Sequence, residues 1–322
     1  MNPEQRGRVF TMMINRALLF FSVYGAAQSL GSIHVDVRLV TASFTVRDTK
    51  GALVSDLVKD DLELIDDGVL QTIAFFSRSI DMPLDLGLIV DGSGSQAHFV
   101  KDHEHDLKRF LTEVLTPRDR AFLLCFGNRL RLAHGYTTSA DEILAGLKWF
   151  ENRKGRVEIP EIGPHELRFA GTAFYDALYY SIIEKLASAD RPRKALVVFS
   201  DGEDNASAHH MLDVIEAAQT DGVVIFGIRY TQRMHGELTG RNKYGTSVMA
   251  RLGRETGGAD FNAETDDLKS AFRQIADQLR SSYELAYHPA GVQNDGLFHK
   301  LVIRPRRGDL KIRAKTGYYS RP

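Results

Sequence analysis

Along positions 35–76 apolar and polar residues alternate, in "VDVRLVTASFTVRD" and again in "LELIDDGVLQTIAFF". A period of two predicts half-buried strands, with turns at "TKGA" and at Asp66, Asp67 and Gly68. Helical periodicity is absent there. From Leu84 onward strand-like and helix-like patterns take turns. Strands are predicted at "LDLGLIVD", "RAFLLCFGN", "RLAHGYT", "KALVVFSD" and "VVIFGIRY", with helices near 99–115, 140–150, 173–187, 208–220 and 247–256. Most of these strands are almost wholly apolar, as in a sheet covered on both faces. A last amphipathic helix in "TDDLKSAFRQIADQLRSSY" sets Leu268, Phe272, Ile275 and Leu279 on one stripe. Strand patterns then return in "YELAYHP", "FHKLVIRPR" and "LKIRAKTGYY".

Alternating strands and helices predict an α/β fold, a doubly wound and mostly parallel sheet. The two strand-only flanks, of roughly two or three strands each, are marginal apart and sufficient together. They are expected to pack as one small β-sandwich module built from both chain ends around an inserted α/β domain. The expected organisation is therefore a leader over 1–27, the first half of the β module over 34–80, the α/β domain over 84–282 and the second half over 283–322. The connection over 151–170, charged and carrying Pro160 and Pro164, is the one long irregular stretch.

Composition narrows the function classes. The 322 residues are 43% hydrophobic, enough to fill two cores, and the net charge of -1 supplies no field toward nucleic acid or anionic lipid. The single cysteine, Cys125, lies in an apolar strand and reads as a buried thiol. At the amino terminus Arg6, Arg8 and Arg16 precede the apolar run "ALLFFSVYGAA", with Gly25 and Ala27 where a signal peptidase requires small residues. That pattern predicts a cleaved signal peptide and a periplasmic or secreted mature chain without a membrane span, because the run is shorter than the ~20 residues a spanning helix needs.

The candidate chemistry sits where strands end. In an open parallel sheet ligands bind beyond the carboxyl ends of the strands. "DGSGS" places Asp91, Ser93 and Ser95 at that edge, "FSDGEDN" places Asp201 there, and "FAGTAFYDAL" brings Thr172 at the start of a helix. Hydroxyls and carboxylates of this kind suit a hard divalent ion such as magnesium, with manganese or calcium as alternatives. A hydroxyl-rich site leaves the ion underneutralised, so an open coordination position would attract an external carboxylate. The three motifs, in this order and context, resemble the metal-ion-dependent adhesion site (MIDAS) of von Willebrand factor type A domains, over about residues 84–283. The resemblance implies that Asp91, Ser93, Ser95, Thr172 and Asp201 are the five metal-site positions, with the hydroxyls touching the metal and the aspartates acting largely through water. More loosely, the flanks resemble a bacterial subgroup of exported type A proteins whose last segment ends in "GYY".

Other groupings carry less. His98, His103 and His105 with Asp102, Glu104 and Asp106 read as a solvated helix face, because a helix puts 103 and 105 on different sides. Ser93 between glycines lacks the outer frame of a nucleophile elbow. Glu203 and Asp204 read as caps of the following helix, and "RGD" at Arg307 to Asp309 as a hairpin turn. The expected function is an exported, metal-dependent protein-binding module for adhesion or assembly, not an enzyme, that captures an acidic group of a partner protein. The alternatives are a metal-dependent hydrolase, which would need a general base beside the metal, and a structural envelope subunit whose metal stiffens the loops.

Overall fold

A computed structural model describes residues 39–152, 162–164, 170–191, 193–231, 237–290 and 295–320. The segment over 1–27 expected to be a signal peptide and most of the 151–170 connection lie outside the described residues. The chain runs β1 (Val40–Arg47), β2 (Leu62–Asp66), β3 (Val69–Gln71), β4 (Ile73–Ile80), β5 (Leu84–Asp91), α1 (Val100–Val114), β6 (Arg120–Phe126) and β7 (Leu130–Thr137). It continues through α2 (Ala140–Asn152), α3 (Phe174–Tyr180), β8 (Arg193–Ser200), α4 (Met211–Asp221), β9 (Val223–Arg229), α5 (Gly240–Thr256), β10 (Ala259–Asn262) and α6 (Leu268–Arg280). It closes with β11 (Ser281–Tyr287), β12 (Phe298–Pro305), β13 (Lys311–Ala314) and β14 (Gly317–Tyr319).

The fold is α/β, with a six-stranded central sheet in the order β10-β9-β8-β5-β6-β7. All its pairings are parallel except that of β7, which returns antiparallel along β6. Helices cover both faces. Leu107 and Phe110 of α1, Ile143 and Leu147 of α2, and Phe272 and Ile275 of α6 pack on one side. Phe174 and Leu178 of α3, Val214 of α4, and Val248 and Leu252 of α5 pack on the other. This two-sided burial is why every residue of β5 is buried and why its text is a continuous apolar run. Cys125, buried in the first of these cores, has its thiol pushed up by burial.

Eight further strands form two antiparallel sheets, β13-β1-β11-β4 and β14-β12-β2-β3, each mixing strands from both chain ends. Their shared core holds Phe44, Leu64, Leu285, Tyr287, Leu301 and Tyr318. Phe44, Phe76 and Tyr283, from three neighbouring strands, stack with ring centroids 5.4–6.4 Å apart. Ile80 pairs with Ser281, so the chain enters and leaves the central α/β part at adjacent points.

Four details depart from the sequence reading. The fifth helix starts at Gly240, a full two turns before position 247. A short parallel strand, β10, follows it. The helix over 173–187 is α-helical only to Tyr180 and then π-helical over Ser181–Leu186. "RGD" is a turn but not a hairpin, because β12 and β13, which it joins, belong to different sheets, and Arg307 there pairs with Asp61.

Candidate metal centre

The β5 strand ends at Asp91, and the backbone turns at once because Gly92 N–H donates to the Phe126 carbonyl at the end of neighbouring β6 (2.7 Å). Asp91 is buried, and its Oδ1 accepts the Ser93 N–H (2.9 Å), an Asx-type turn that aims the two serine side chains at the same edge. Ser93 Oγ lies 3.1 Å from Ser95 Oγ, and Ser95 Oγ donates to Asp201 Oδ2 at 2.7 Å. Asp201 follows the last residue of β8, the strand beside β5 in the sheet. Four of the five candidate residues are thus joined in one continuous chain of contacts.

Thr172 reaches the same edge through its backbone. Its N–H donates to Asn205 Oδ1 (2.7 Å), its carbonyl accepts from Asn205 and Ala206 N–H (both 3.1 Å), and Ala173 N–H donates to the Gly127 carbonyl (2.7 Å). Gly127 in turn lies against Gly92 and Ser93, the site where a Cβ would meet them at 3.9 Å. The Thr172 turn is therefore clamped between the Asp91 loop and the Asp201 loop.

The electrostatics suit a cation. Burial and repulsion from Asp201 push the Asp91 carboxyl up to about 7, and only hydroxyl and amide bonds from Ser200 and Ser93 oppose the shift. Two carboxylates with clustered neutral hydroxyls are hard oxygen donors, the set that magnesium, manganese or calcium takes. The residues fit such an ion: a bound cation would remove the like-charge repulsion that now favours the proton.

Sheet order, the antiparallel edge strand and the three loops at one sheet edge now stand together. The α/β part has a von Willebrand factor type A-like fold. None of the protein-family models matches the chain, and no curated protein does. Solved structures do. BatB of Bacteroides thetaiotaomicron is similar at 15% identity over 61% of this chain and 98% of its own, with a TM-score of 0.42. Proximal thread matrix protein 1 of the mussel byssus, solved with a zinc-occupied MIDAS motif, is 16% identical over 66% of this chain and 50% of its own, at 0.46. The manganese-loaded TRAP protein of Plasmodium vivax is 16% identical over 74% and 96%, at 0.42.

Around this site stand residues whose part the local sequence does not signal. Ser200 Oγ donates to Asp91 Oδ2 (2.6 Å) and accepts the Gly202 N–H (3.1 Å). Gln96 Nε2 donates to Asp201 Oδ2 (2.8 Å) and approaches the Tyr230 carbonyl (3.3 Å). Both anchor an aspartate from behind. Glu203, read as a cap, holds Asn242 Nδ2 of α5 instead (3.0 Å), while Asp204 accepts the Tyr175 N–H at the start of α3 (3.2 Å). Of the histidine group, His98 and His105 are exposed as expected, but His103 is buried. Its ring sits edge-on to Tyr230 at 4.4 Å, and burial alone lowers its pKa to about 4. The helix stripe of Leu107, Phe110 and Leu111 turns position 103 inward with it.

Proposed function

We propose that the chain is an exported, metal-dependent protein-binding module. A divalent ion, magnesium first, with manganese or calcium as substitutes, would be held by the Ser93, Ser95 and Thr172 hydroxyls, with Asp91 and Asp201 acting chiefly through water. When bound, it supplies an open coordination position for an acidic group of a partner protein. The observation that carries this reading is the run of close contacts from Ser93 Oγ through Ser95 Oγ to Asp201 Oδ2, beside a buried Asp91 whose charge Asp201 opposes. The chain's own residues prepare the site. Ser200 and Gln96 fix the two carboxylates, and the Asn205 side chain fixes the Thr172 turn.

The site favours binding over catalysis. Its carboxylates would be committed to the ion, and Glu203, two residues beyond Asp201, is tied to Asn242. The expected test is capture of partners from an envelope extract with and without EDTA. A partner protein retained with magnesium and lost on chelation, and lost also by the Ser93→Ala/Ser95→Ala variant, supports the reading. Retention in EDTA by both proteins contradicts it. Hydrolytic activity that depends on the same serines would favour the enzyme alternative.

A further inference from the structure

The β module carries a second group of metal-capable side chains, remote in sequence from the first. The β2–β3 hairpin turns through Asp67 (φ 47°) and Gly68 (φ 84°), both left-handed, the backbone of a two-residue type I′ connection. This turn leaves Asp66 facing the sandwich interior and folds the Asp67 carboxylate back over β12. There Asp67 Oδ1 accepts the Lys300 N–H (2.8 Å) and Oδ2 faces His299 Nδ1 (2.8 Å). One ligand atom each from Asp66, Asp67 and His299 lies within 4.8 Å of the others.

Two buried polar atoms there lack a hydrogen-bond partner. Asp66 is 2% exposed, and its Oδ2 accepts both the Tyr287 and the Tyr318 hydroxyl (2.9 Å each), while its buried Oδ1 has no hydrogen-bond partner. His299, 7% exposed, likewise has a buried Nε2 without one. A carboxylate oxygen buried without a partner bears its full desolvation penalty. The surroundings are those of a ligand set. Two tyrosines fix the Asp66 carboxylate through one oxygen and leave the other for an ion. Asp295, held by Ser320 Oγ (2.6 Å) and Leu297 N–H (2.9 Å), stands 3.7 Å from His299 Nε2, too far to satisfy it with a hydrogen bond.

We propose that Asp66, Asp67 and His299 bind a zinc ion that staples the two ends of the chain together. Two carboxylates and one imidazole form a mixed oxygen and nitrogen set, which suits zinc and disfavours magnesium or calcium. Asp67 is half-exposed, which gives the ion an entry and a fourth position for water. Asp66 and Asp67 come from the first flank and His299 from the second, so the ion would add a cross-link between segments already paired along β2 and β12.

The test uses the full chain carrying Asp91→Ala and Thr172→Ala, which disables the first site, so that the outcome is independent of the proposed function. Equilibrium dialysis against zinc, with metal counted by mass spectrometry, should give one equivalent. Adding Asp67→Asn, which preserves the shape of the side chain, should weaken zinc affinity 10-fold or more. Cobalt substitution gives a second readout that does not need the variant to fold. The Asp91→Ala/Thr172→Ala protein should show visible d–d absorption, bleached by one equivalent of zinc. No zinc retained by that protein, or retention indifferent to Asp67→Asn, overturns the proposal.

Discussion

At the residue scale the first site is a matter of two aspartates and what faces them. Asp91 is buried and repelled by Asp201, so its folded-state pKa stands near 7, well above that of an unfolded carboxyl. A raised acid pKa means the metal-free fold binds this proton more tightly than the unfolded chain does. Its contribution therefore favours folding at low pH and is lost as pH rises from about 4 to about 7. Asp91→Asn removes the term. In EDTA the stability of the variant relative to wild type should increase between pH 5 and pH 8 in urea titrations, and a difference flat with pH would contradict this. The DxSxS spacing made Asp91, Ser93 and Ser95 legible in the sequence, because one short loop carries all three. Ser200 and Gln96 were not legible: each acts on an aspartate more than 100 positions away, and nothing local in a strand-end serine or a loop glutamine signals that.

Among the elements, the parallel strands read clearly because burial on both faces makes their text continuous, and α6 because its apolar stripe is uninterrupted. The first two turns of α5 did not. "GRNKYGT" has no apolar stripe and two glycines, each costing a helix roughly 1 kcal/mol relative to alanine. The helix starts there because Thr239 and Asn242 form a reciprocal cap, and because Gly245 packs on the Asp201 loop. A Cβ at position 245 would lie 2.3 Å from the Asp201 carbonyl oxygen. Gly245→Ala should therefore displace that loop, cost about 1–3 kcal/mol of stability and lower magnesium affinity. A calorimetric titration of the variant that matched wild type would show that the close approach is unimportant to the site. β10 escaped notice for a different reason: four residues are too few to show a period.

At the scale of the whole molecule, both sheets of the β module take strands from both ends of the chain, and β4 passes directly into the α/β part from which β11 emerges. We take the two flanks as one folding unit. Removing 283–322 would strip β1 and β4 of β11 and leave β2 without β12, exposing paired edges and the core around Phe44 and Leu64. That truncation should aggregate, whereas residues 84–282 should remain monomeric in size-exclusion chromatography. A stable, monodisperse 34–80 fragment would contradict a shared module. Flank pairing was foreseeable from strand counts alone, but the sheet switch at Thr72, between β3 and β4, was not, because the apolar alternation runs on through it. The claim on which the functional reading depends is that the edge joining Asp91, Ser93, Ser95, Thr172 and Asp201 binds a divalent ion. Thermal unfolding of wild type and Thr172→Ala in EDTA and in saturating magnesium tests it most directly. Near 100 times the dissociation constant the ion should stabilise the wild type by about 2.7 kcal/mol, with most of the gain lost in Thr172→Ala and the two proteins alike in EDTA. Identical wild-type melting with and without magnesium, manganese or calcium would contradict the account.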